Sequence, residues 1–105
     1  MREFLVICKK TGQSAAFKRV VLDYTNKNNI PVNWHFATYE EYLAVLDELP
    51  IDLVLISPEV ILLQQNIIEA LEGRKQEYFV MKPIDFGLKR MEKLMPSLEK
   101  YINNQ

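Results

Sequence analysis

The sequence predicts an α/β protein, a three-layer sandwich in which a four-stranded parallel sheet carries helices on both faces. Three observations support this fold class. Four short apolar runs of strand length alternate with four longer stretches whose apolar residues recur at helical spacing. Proline or paired asparagine residues stand at several of the junctions, where they favour breaks in the regular structure. A strand–helix alternation of this kind favours parallel strands joined by right-handed crossovers.

The first strand–helix unit and the second strand come from the first third of the chain. Residues 3–8 are a continuous apolar run, which indicates a buried strand. Residues 13–29 carry apolar side chains at helical spacing, and Pro31 marks the break after them. Residues 32–37 alternate between apolar and polar side chains. This alternation predicts a half-exposed strand or an edge strand.

The second helix and the third strand follow at once. Thr38 is a good helix N-cap, and Glu41 stands three residues later as its predicted capping-box partner. The helix that Thr38 opens is predicted to run to about Leu49. Residues 51–57 are the most apolar of the four runs. They are therefore predicted to form a central strand, buried on both faces.

The last two units complete the pattern. Pro58 ends the third strand and is suited to the first turn of a helix, which is predicted to stop at Gly73. Residues 77–82 form the predicted fourth strand. A last helix is expected over about 86–102, and Pro96 inside it is expected to kink or split it.

Composition limits the function classes. The chain of 105 residues is predicted to be a single domain, 1–105, with 49% apolar and 26% charged residues. The net charge of −1 gives no electrostatic reason to expect a nucleic-acid partner. The single cysteine cannot form an internal disulfide. Neither a signal peptide nor a membrane span is apparent. A cytoplasmic protein without direct membrane insertion is therefore expected.

That one cysteine, Cys8, ends the first strand, immediately before a short polar loop and a helix N-terminus. Unpaired N–H groups at a helix N-terminus bind anions, and their partial positive charge favours a thiolate with a lowered pKa. Lys9 and Lys10 add positive charge, and Gly12 is expected to allow a tight turn with positive φ. The pattern predicts a nucleophilic thiol in an anion-binding loop at the carboxyl edge of the sheet, where open α/β sheets bind ligands.

The segment Cys8-Lys9-Lys10-Thr11-Gly12-Gln13-Ser14-Ala15 resembles the cysteine loop of a known family. That family comprises the IIB components of the lactose/cellobiose/chitobiose class of the bacterial phosphotransferase system. The resemblance covers nearly the whole chain, and Ser57-Pro58-Glu59 and Phe86-Gly87 are also similar to family patterns. It implies a single IIB domain with strand order 2-1-3-4 and a P-loop-like cysteine loop after the first strand.

The resemblance also implies an activity, that of a protein-Nπ-phosphohistidine–sugar phosphotransferase. Cys8 would be the phosphocysteine intermediate. The phosphate would be held by the loop residues, Lys9, Lys10, Thr11, Gly12, Gln13, Ser14 and Ala15. The phosphoryl group would come from a phosphohistidine on a IIA partner and pass to a sugar bound by a membrane IIC partner. A β-linked disaccharide such as cellobiose, chitobiose or lactose is the expected sugar, and no cofactor is expected.

Two other functions remain open at this point. The bulky Lys9-Lys10 pair, unusual for the family loop, motivates a degenerate IIB-like domain with a regulatory role. Lys82-Pro83 resembles the lysine-proline pair of response-regulator receivers, which motivates a receiver-like binding module. Receivers, however, need an acidic pair after the first strand and an aspartate where this chain has Ser57. Five parallel strands instead of four would favour the receiver-like module.

Other uses of these residues are weaker alternatives. A lone cysteine is often an inert buried residue, although its place before a glycine loop argues against this here. A tyrosine-phosphatase site needs an arginine at position 14, where this chain has Ser14. A redox CxxC pair is absent because Thr11 holds the partner position. His35 is expected to be structural, and no zinc-ligand spacing is present, so no metal is expected.

Overall fold

A computed structural model describes residues 1–103, which form a single sheet with helices packed around it. The strands are β1 (Arg2–Ile7), β2 (Val32–Ala37), β3 (Leu53–Ile56) and β4 (Tyr78–Val80). The helices are α1 (Gly12–Lys27), α2 (Tyr42–Glu48), α3 (Gln64–Gly73), α4 (Pro83–Gly87) and α5 (Met91–Asn103), and a 3₁₀-helix (Pro58–Leu63) precedes α3. No helix within residues 1–103 has the length and apolar character needed to cross a bilayer.

The sheet is parallel throughout, and its strand order is β2-β1-β3-β4. The predicted fold class and the strand order 2-1-3-4 are both confirmed. The third strand is central and β2 is an edge strand, as their hydrophobic patterns predict. In the register, Ile7 at the end of β1 lies between Ala37 of β2 and Ile56 of β3. The residues after these three positions therefore meet at one edge of the sheet.

Successive residues of β1 supply two hydrophobic cores, one on each face of the sheet. Phe4 and Val6 face the layer formed by α1, α4 and α5. Leu5 and Ile7 face the layer that contains α2 and α3. All four side chains are fully buried, and each such burial contributes about 1.5–3 kcal/mol relative to exposure. This double burial explains why the first strand is apolar without alternation.

The second helix begins later than its capping signal predicts. Thr38 is not the N-cap, because α2 starts at Tyr42 after an intervening turn. Half of the predicted capping box nevertheless forms, since the Thr38 N–H donates to Glu41 Oε1 at 3.1 Å. This hydrogen bond lowers the pKa of Glu41. Thr38 thus begins a turn that leads into the helix.

The helix predicted from Pro58 to Gly73 is divided into a 3₁₀-helix and α3. Val60 has φ −109° and ψ 28°, which are not helical values. Val60 is buried, whereas 97% of the Leu62 surface is exposed. Four consecutive apolar residues from Val60 cannot all face one core from a regular helix, and the 3₁₀-helix buries Val60 while Ile61 and Leu62 remain exposed.

The last predicted helix is also divided, although not at Pro96. The break falls at residues 88–90, where Lys89 has a positive φ of 53°. Pro96 lies inside α5 on its exposed side. Proline at this position removes the helical donor to the Glu92 carbonyl, and Glu92 is itself an exposed residue. The expectation that Pro96 splits the helix is therefore wrong.

Candidate functional site

Cys8 follows β1 directly, at the carboxyl edge of the sheet, as predicted. Its N–H donates to the Ala37 carbonyl at 3.0 Å and thereby extends the sheet ladder by one bond. Its side chain belongs to the same core as Phe4 and Val6 and is 8% exposed. The sulfur is therefore largely withdrawn from water.

Burial raises the pKa of the Cys8 thiol to about 11. The nearby Glu59 carboxylate makes a smaller contribution to this rise in the pKa, and Lys18 acts in the opposite direction. The expectation that the helix N-terminus, Lys9 and Lys10 lower this pKa is wrong for the protein in this state. Desolvation disfavours the thiolate more than the neighbouring positive charge favours it. Cys8 is accordingly a thiol at neutral pH.

The loop after Cys8 is fixed by a reciprocal capping box. Thr11 is the N-cap of α1, and its hydroxyl accepts the Ser14 N–H at 3.1 Å. The Ser14 hydroxyl accepts the Thr11 N–H at 3.0 Å and donates to the Lys9 carbonyl. These two side chains therefore build the loop itself. The N–H groups of Gly12 and Gln13, in the first turn of α1, have no intrahelical acceptor.

Gly12 does not have the backbone conformation expected of it. It is the first residue of α1, and no glycine within residues 1–103 has a positive φ. A Cβ added at Gly12 would meet no atom within 4 Å. The tight turn is made instead by the Thr11–Ser14 hydrogen bonds, which any residue with helical dihedral angles at position 12 would permit.

Two polar side chains of the loop, Lys10 and Gln13, contact residues outside the loop. Lys10 pairs with Glu41 at 3.8 Å on the protein surface, and Gln13 Oε1 accepts a hydrogen bond from Lys89 at 3.2 Å. The cation that acts on the Cys8 thiol is Lys18, from the second turn of α1. Lys18 also lies 5.3 Å from the centre of the Phe36 ring. Its spacing of four residues from Ser14 is the sequence signal that places it on the same face of the helix.

A cleft of about 400 Å³ opens between the cysteine loop and the end of β2. It brings together six of the predicted site residues, Cys8, Lys9, Lys10, Thr11, Ser14 and Ala15. Gly12 and Gln13 do not line it. Lys18 and Glu41 lie on its wall. The cleft therefore has room for a small anionic group beside the thiol and next to a lysine.

On its other side the cysteine loop meets the end of β3. Glu59 Oε1 accepts the Lys9 N–H at 2.9 Å, and Glu59 Oε2 accepts the Thr11 hydroxyl. Glu59 thus binds the loop as an anion would. It belongs to the Ser57-Pro58-Glu59 segment but is not among the predicted site residues. The signal that points to it is its place after the strand next to β1.

Ser57 is a second residue at this edge of the sheet that is not among the predicted site residues. Its N–H donates to the Ile7 carbonyl at 3.1 Å, which places Ser57 beside Cys8 on the neighbouring strand. Ser57 is 1% exposed, and its hydroxyl has no hydrogen-bond partner within residues 1–103. An unpaired buried hydroxyl is costly. An unpaired hydroxyl group thus belongs to the residue that follows β3, on the strand adjacent to the one that Cys8 follows.

Other candidate chemistry lies away from this edge. His35 Nε2 is 2.7 Å from Glu3 Oε1, and this hydrogen bond lowers the pKa of Glu3. The pair links β1 to β2, so His35 has the structural role predicted for it. In the part of the chain that the structure describes, no three His, Cys, Asp or Glu side chains are grouped as metal ligands.

The architecture is similar to that of a solved structure, the lactose-specific IIB component domain of the phosphoenolpyruvate:carbohydrate phosphotransferase system from Streptococcus pneumoniae. The two share 18% sequence identity over 93% of this chain and 95% of that chain, with a TM-score of 0.71. No protein-family model and no curated protein matches this sequence. The chain therefore has the fold of a phosphotransferase-system IIB domain, as the resemblance implies.

Proposed function

We propose that this protein is a phosphoryl carrier of a sugar phosphotransferase system and that Cys8 is its phosphocysteine. One observation carries the proposal. A chain with the fold of a lactose-specific IIB domain over 93% of its length has its single cysteine directly after β1, in front of a capped helix N-terminus. A loop with free backbone donors beside a nucleophile is suited to phosphoryl transfer, which depends mainly on positioning and charge stabilisation.

The first step would take the phosphoryl group from a phosphohistidine on a IIA partner. The P–N bond breaks as the bond between phosphorus and Cys8 Sγ forms, and its electron pair returns to the imidazole nitrogen. The thiol proton passes to that nitrogen, so a neutral histidine leaves. This proton balance accommodates the raised pKa of Cys8. The thiol needs to lose its proton only when the donor is in place.

The phosphoryl group would be held by the loop from Lys9 to Ala15. The N–H groups of Gly12 and Gln13 at the start of α1 are donors without an intrahelical acceptor, and the helix dipole adds partial positive charge. Lys18 supplies a full positive charge that already acts on the sulfur. Ser14 would act through the shape of the loop, because its hydroxyl donates to the Lys9 carbonyl. The Thr11 hydroxyl also donates outside the loop, as it does to Glu59, and would be a further donor to the phosphoryl group.

The second step would pass the group to a sugar bound by a membrane IIC partner. The S–P bond breaks as a sugar hydroxyl oxygen bonds to phosphorus, and the hydroxyl proton returns to the sulfur as the thiol. The sugar proposed is a β-linked disaccharide such as lactose, cellobiose or chitobiose. We place this reaction at the cytoplasmic side of the membrane, and it needs no bound cofactor.

Reconstitution tests the proposal. The protein is incubated with enzyme I, the histidine phosphocarrier protein, lactose-type or cellobiose-type IIA proteins and phosphoenolpyruvate, and its mass is followed. We expect a gain of one phosphoryl group, located on Cys8 by peptide mapping. Cys8→Ala should gain none, and omission of IIA should abolish labelling of the wild type. Labelling of Cys8→Ala, or no labelling of the wild type with any IIA, contradicts the proposal.

A second candidate is a IIB-like domain that binds a IIA partner without accepting its phosphoryl group. The raised pKa of Cys8 favours it, because the resting thiol is a weak nucleophile. In the same reconstitution it predicts IIA binding without a mass change. A receiver-like module is less well supported, since residues 1–103 contain four parallel strands rather than five.

A further inference from the structure

The crevice between β1 and β3 is the place where the connections of this sheet diverge. α1 leads away to β2 along one face, and the 3₁₀-helix and α3 lead to β4 along the other. Open α/β sheets bind ligands at such a switch point. In this structure the crevice is occupied by a side chain of the protein itself, the Glu59 carboxylate.

Both oxygens of this carboxylate are engaged by the cysteine loop. One accepts the Lys9 N–H at 2.9 Å, and the other accepts the Thr11 hydroxyl. Phosphate oxygens use donors of the same kind when they bind at a helix N-terminus. On the neighbouring strand the Ser57 hydroxyl is buried and has no hydrogen-bond partner within residues 1–103. Two donors of the loop thus already hold a carboxylate.

We propose that Glu59 is an internal competitor for the anion site of the cysteine loop, which an incoming phosphoryl group must displace. The inference rests on the proposed function, because the phosphoryl group on Cys8 is the anion that Glu59 would exclude. A carboxylate and a phosphoryl group cannot share these donors, since like charges at such short range repel strongly. Phosphorylation would therefore release Glu59 from Lys9 and Thr11.

The arrangement also explains the resting state of the thiol. The Glu59 charge opposes ionisation of Cys8, and Lys18 favours it. While Glu59 is bound to Lys9 and Thr11, its carboxylate supplies the negative charge near the sulfur. Its departure would leave Lys18 and the free N–H groups to the new anion. Glu59 would thus restrict reactivity at Cys8 to the moment when a phosphoryl donor is bound.

Phosphate titration tests the proposal without any partner protein. Inorganic phosphate is added to ¹⁵N-labelled wild type, Glu59→Ala and Glu59→Gln, and the amide signals of Lys9, Gly12 and Gln13 are followed. We expect Glu59→Ala to bind phosphate at least about tenfold more tightly than wild type. Glu59→Gln, which keeps the shape but not the charge, should also bind more tightly.

Asp23→Asn is the control, because it removes an equal charge from an exposed ion pair with Lys27, towards the far end of α1 from the cysteine loop. It should change the affinity by less than about threefold. Equal affinities in wild type and Glu59→Ala, an equal gain in Asp23→Asn, or no phosphate binding by Glu59→Ala would each overturn the proposal. The phosphate titration does not depend on phosphorylation of Cys8 by IIA. If IIA phosphorylates the wild type but Glu59→Ala binds inorganic phosphate no more tightly than wild type, the competitor role of Glu59 is refuted and the proposed function is not.

Discussion

At the scale of single residues, the position of the Cys8 sulfur decides its chemistry. Cys8 lies within a hydrophobic core and is 8% exposed, although its backbone is at the carboxyl edge of the sheet. Desolvation is therefore the largest influence on its pKa, which rises to about 11. Such a thiol is slow to react with oxidants and alkylating reagents at neutral pH. Its reactivity depends on the arrival of a partner group.

From the raised pKa of Cys8 we predict how the free energy of unfolding depends on pH. The thiol ionises near 9.0 in the unfolded chain but only near 11 in the folded protein. Between these values the unfolded state binds fewer protons, so stability falls as the pH rises. From two pKa units at 1.36 kcal/mol each, the loss is about 2–3 kcal/mol. We expect this loss in wild type and not in Cys8→Ala, measured by urea unfolding between about pH 8 and pH 11.

Comparison of the two proteins isolates the thiol, because the tyrosines titrate in both. The difference in unfolding free energy between wild type and Cys8→Ala should be constant below about pH 8.5. It should then change in favour of Cys8→Ala up to about pH 11. A difference that stays constant across the whole range would show that the Cys8 pKa is the same in the folded and unfolded states.

At the scale of elements, the joint between α4 and α5 depends on one ion pair. Asp85 is 6% exposed, and its Oδ1 accepts two hydrogen bonds from the Arg90 side chain at 3.1 and 2.9 Å. The Arg90 N–H also donates to the Asp85 carbonyl at 3.0 Å. These bonds enclose Lys89, which has a positive φ. The ion pair between Asp85 and Arg90 therefore stabilises the backbone at the break between α4 and α5.

Removal of Arg90 should be costly. Arg90→Met leaves the buried Asp85 carboxylate without its cation, and we expect a loss of about 2–3 kcal/mol in unfolding free energy. This loss is smaller than the loss of about 3–5 kcal/mol expected for breaking a fully buried pair, because Arg90 is partly exposed. Arg74→Met is the matched control, since Arg74 pairs with Asp47 on the surface, and it should cost less than about 1 kcal/mol. Equal losses in the two variants, measured by urea unfolding, would contradict a special role for Asp85 and Arg90.

The helices and strands differ in how well they can be predicted from the sequence. The central place of β3 agrees with its prediction from an unbroken apolar run, and the sheet order agrees with the order that the resemblance to IIB components implies. The break at Lys89 was not predictable, since apolar residues keep helical spacing from Leu88 to Leu98. Its cause is the contact between Asp85 and Arg90 and the backbone turn that they enclose. Periodicity carries no information about such contacts.

The candidate site is likewise only partly predictable from the sequence. Cys8 and its capped loop follow from local sequence, because a strand end, an N-cap and a helix start are adjacent in the chain. Glu59 lies about fifty residues away, and only the register of β1 with β3 brings it to the loop. The pKa of Cys8 depends on its burial, which is a property of the packed core. Local sequence places the cysteine at the start of the loop, whereas tertiary packing sets the pKa of its thiol.

At the scale of the whole molecule, the two cores share the central strands. Phe4 and Val6 enter one core, while Leu5 and Ile7 of the same strand enter the other. β3 is divided between the cores in the same way. Neither layer of helices can separate without exposing half of β1. The two cores are therefore expected to unfold in one cooperative transition, as small domains commonly do.

Matched substitutions on the two faces test this cooperativity. Leu98 of α5 lies in the same core as Trp34, whereas Leu71 of α3 lies in the opposite core, and both leucines are fully buried. We expect Leu98→Ala and Leu71→Ala each to cost about 2–5 kcal/mol. In both variants Trp34 fluorescence and far-ultraviolet circular dichroism should report the same urea midpoint. Leu62→Ala, at a position that is 97% exposed, should cost less than about 0.5 kcal/mol.

The decisive variant is Leu71→Ala, because its cavity lies across the sheet from the fluorescent reporter. If β1 and β3 couple the cores, the loss on the far face must shift the Trp34 transition as much as the circular dichroism transition. A circular dichroism midpoint that falls while the Trp34 midpoint stays near wild type would mean that the faces unfold separately. The cysteine loop spans the edge between the faces, since Cys8 lies in one core and Glu59 precedes Val60 of the other. Separate unfolding would then release Glu59 from the loop before the thiol loses its own core.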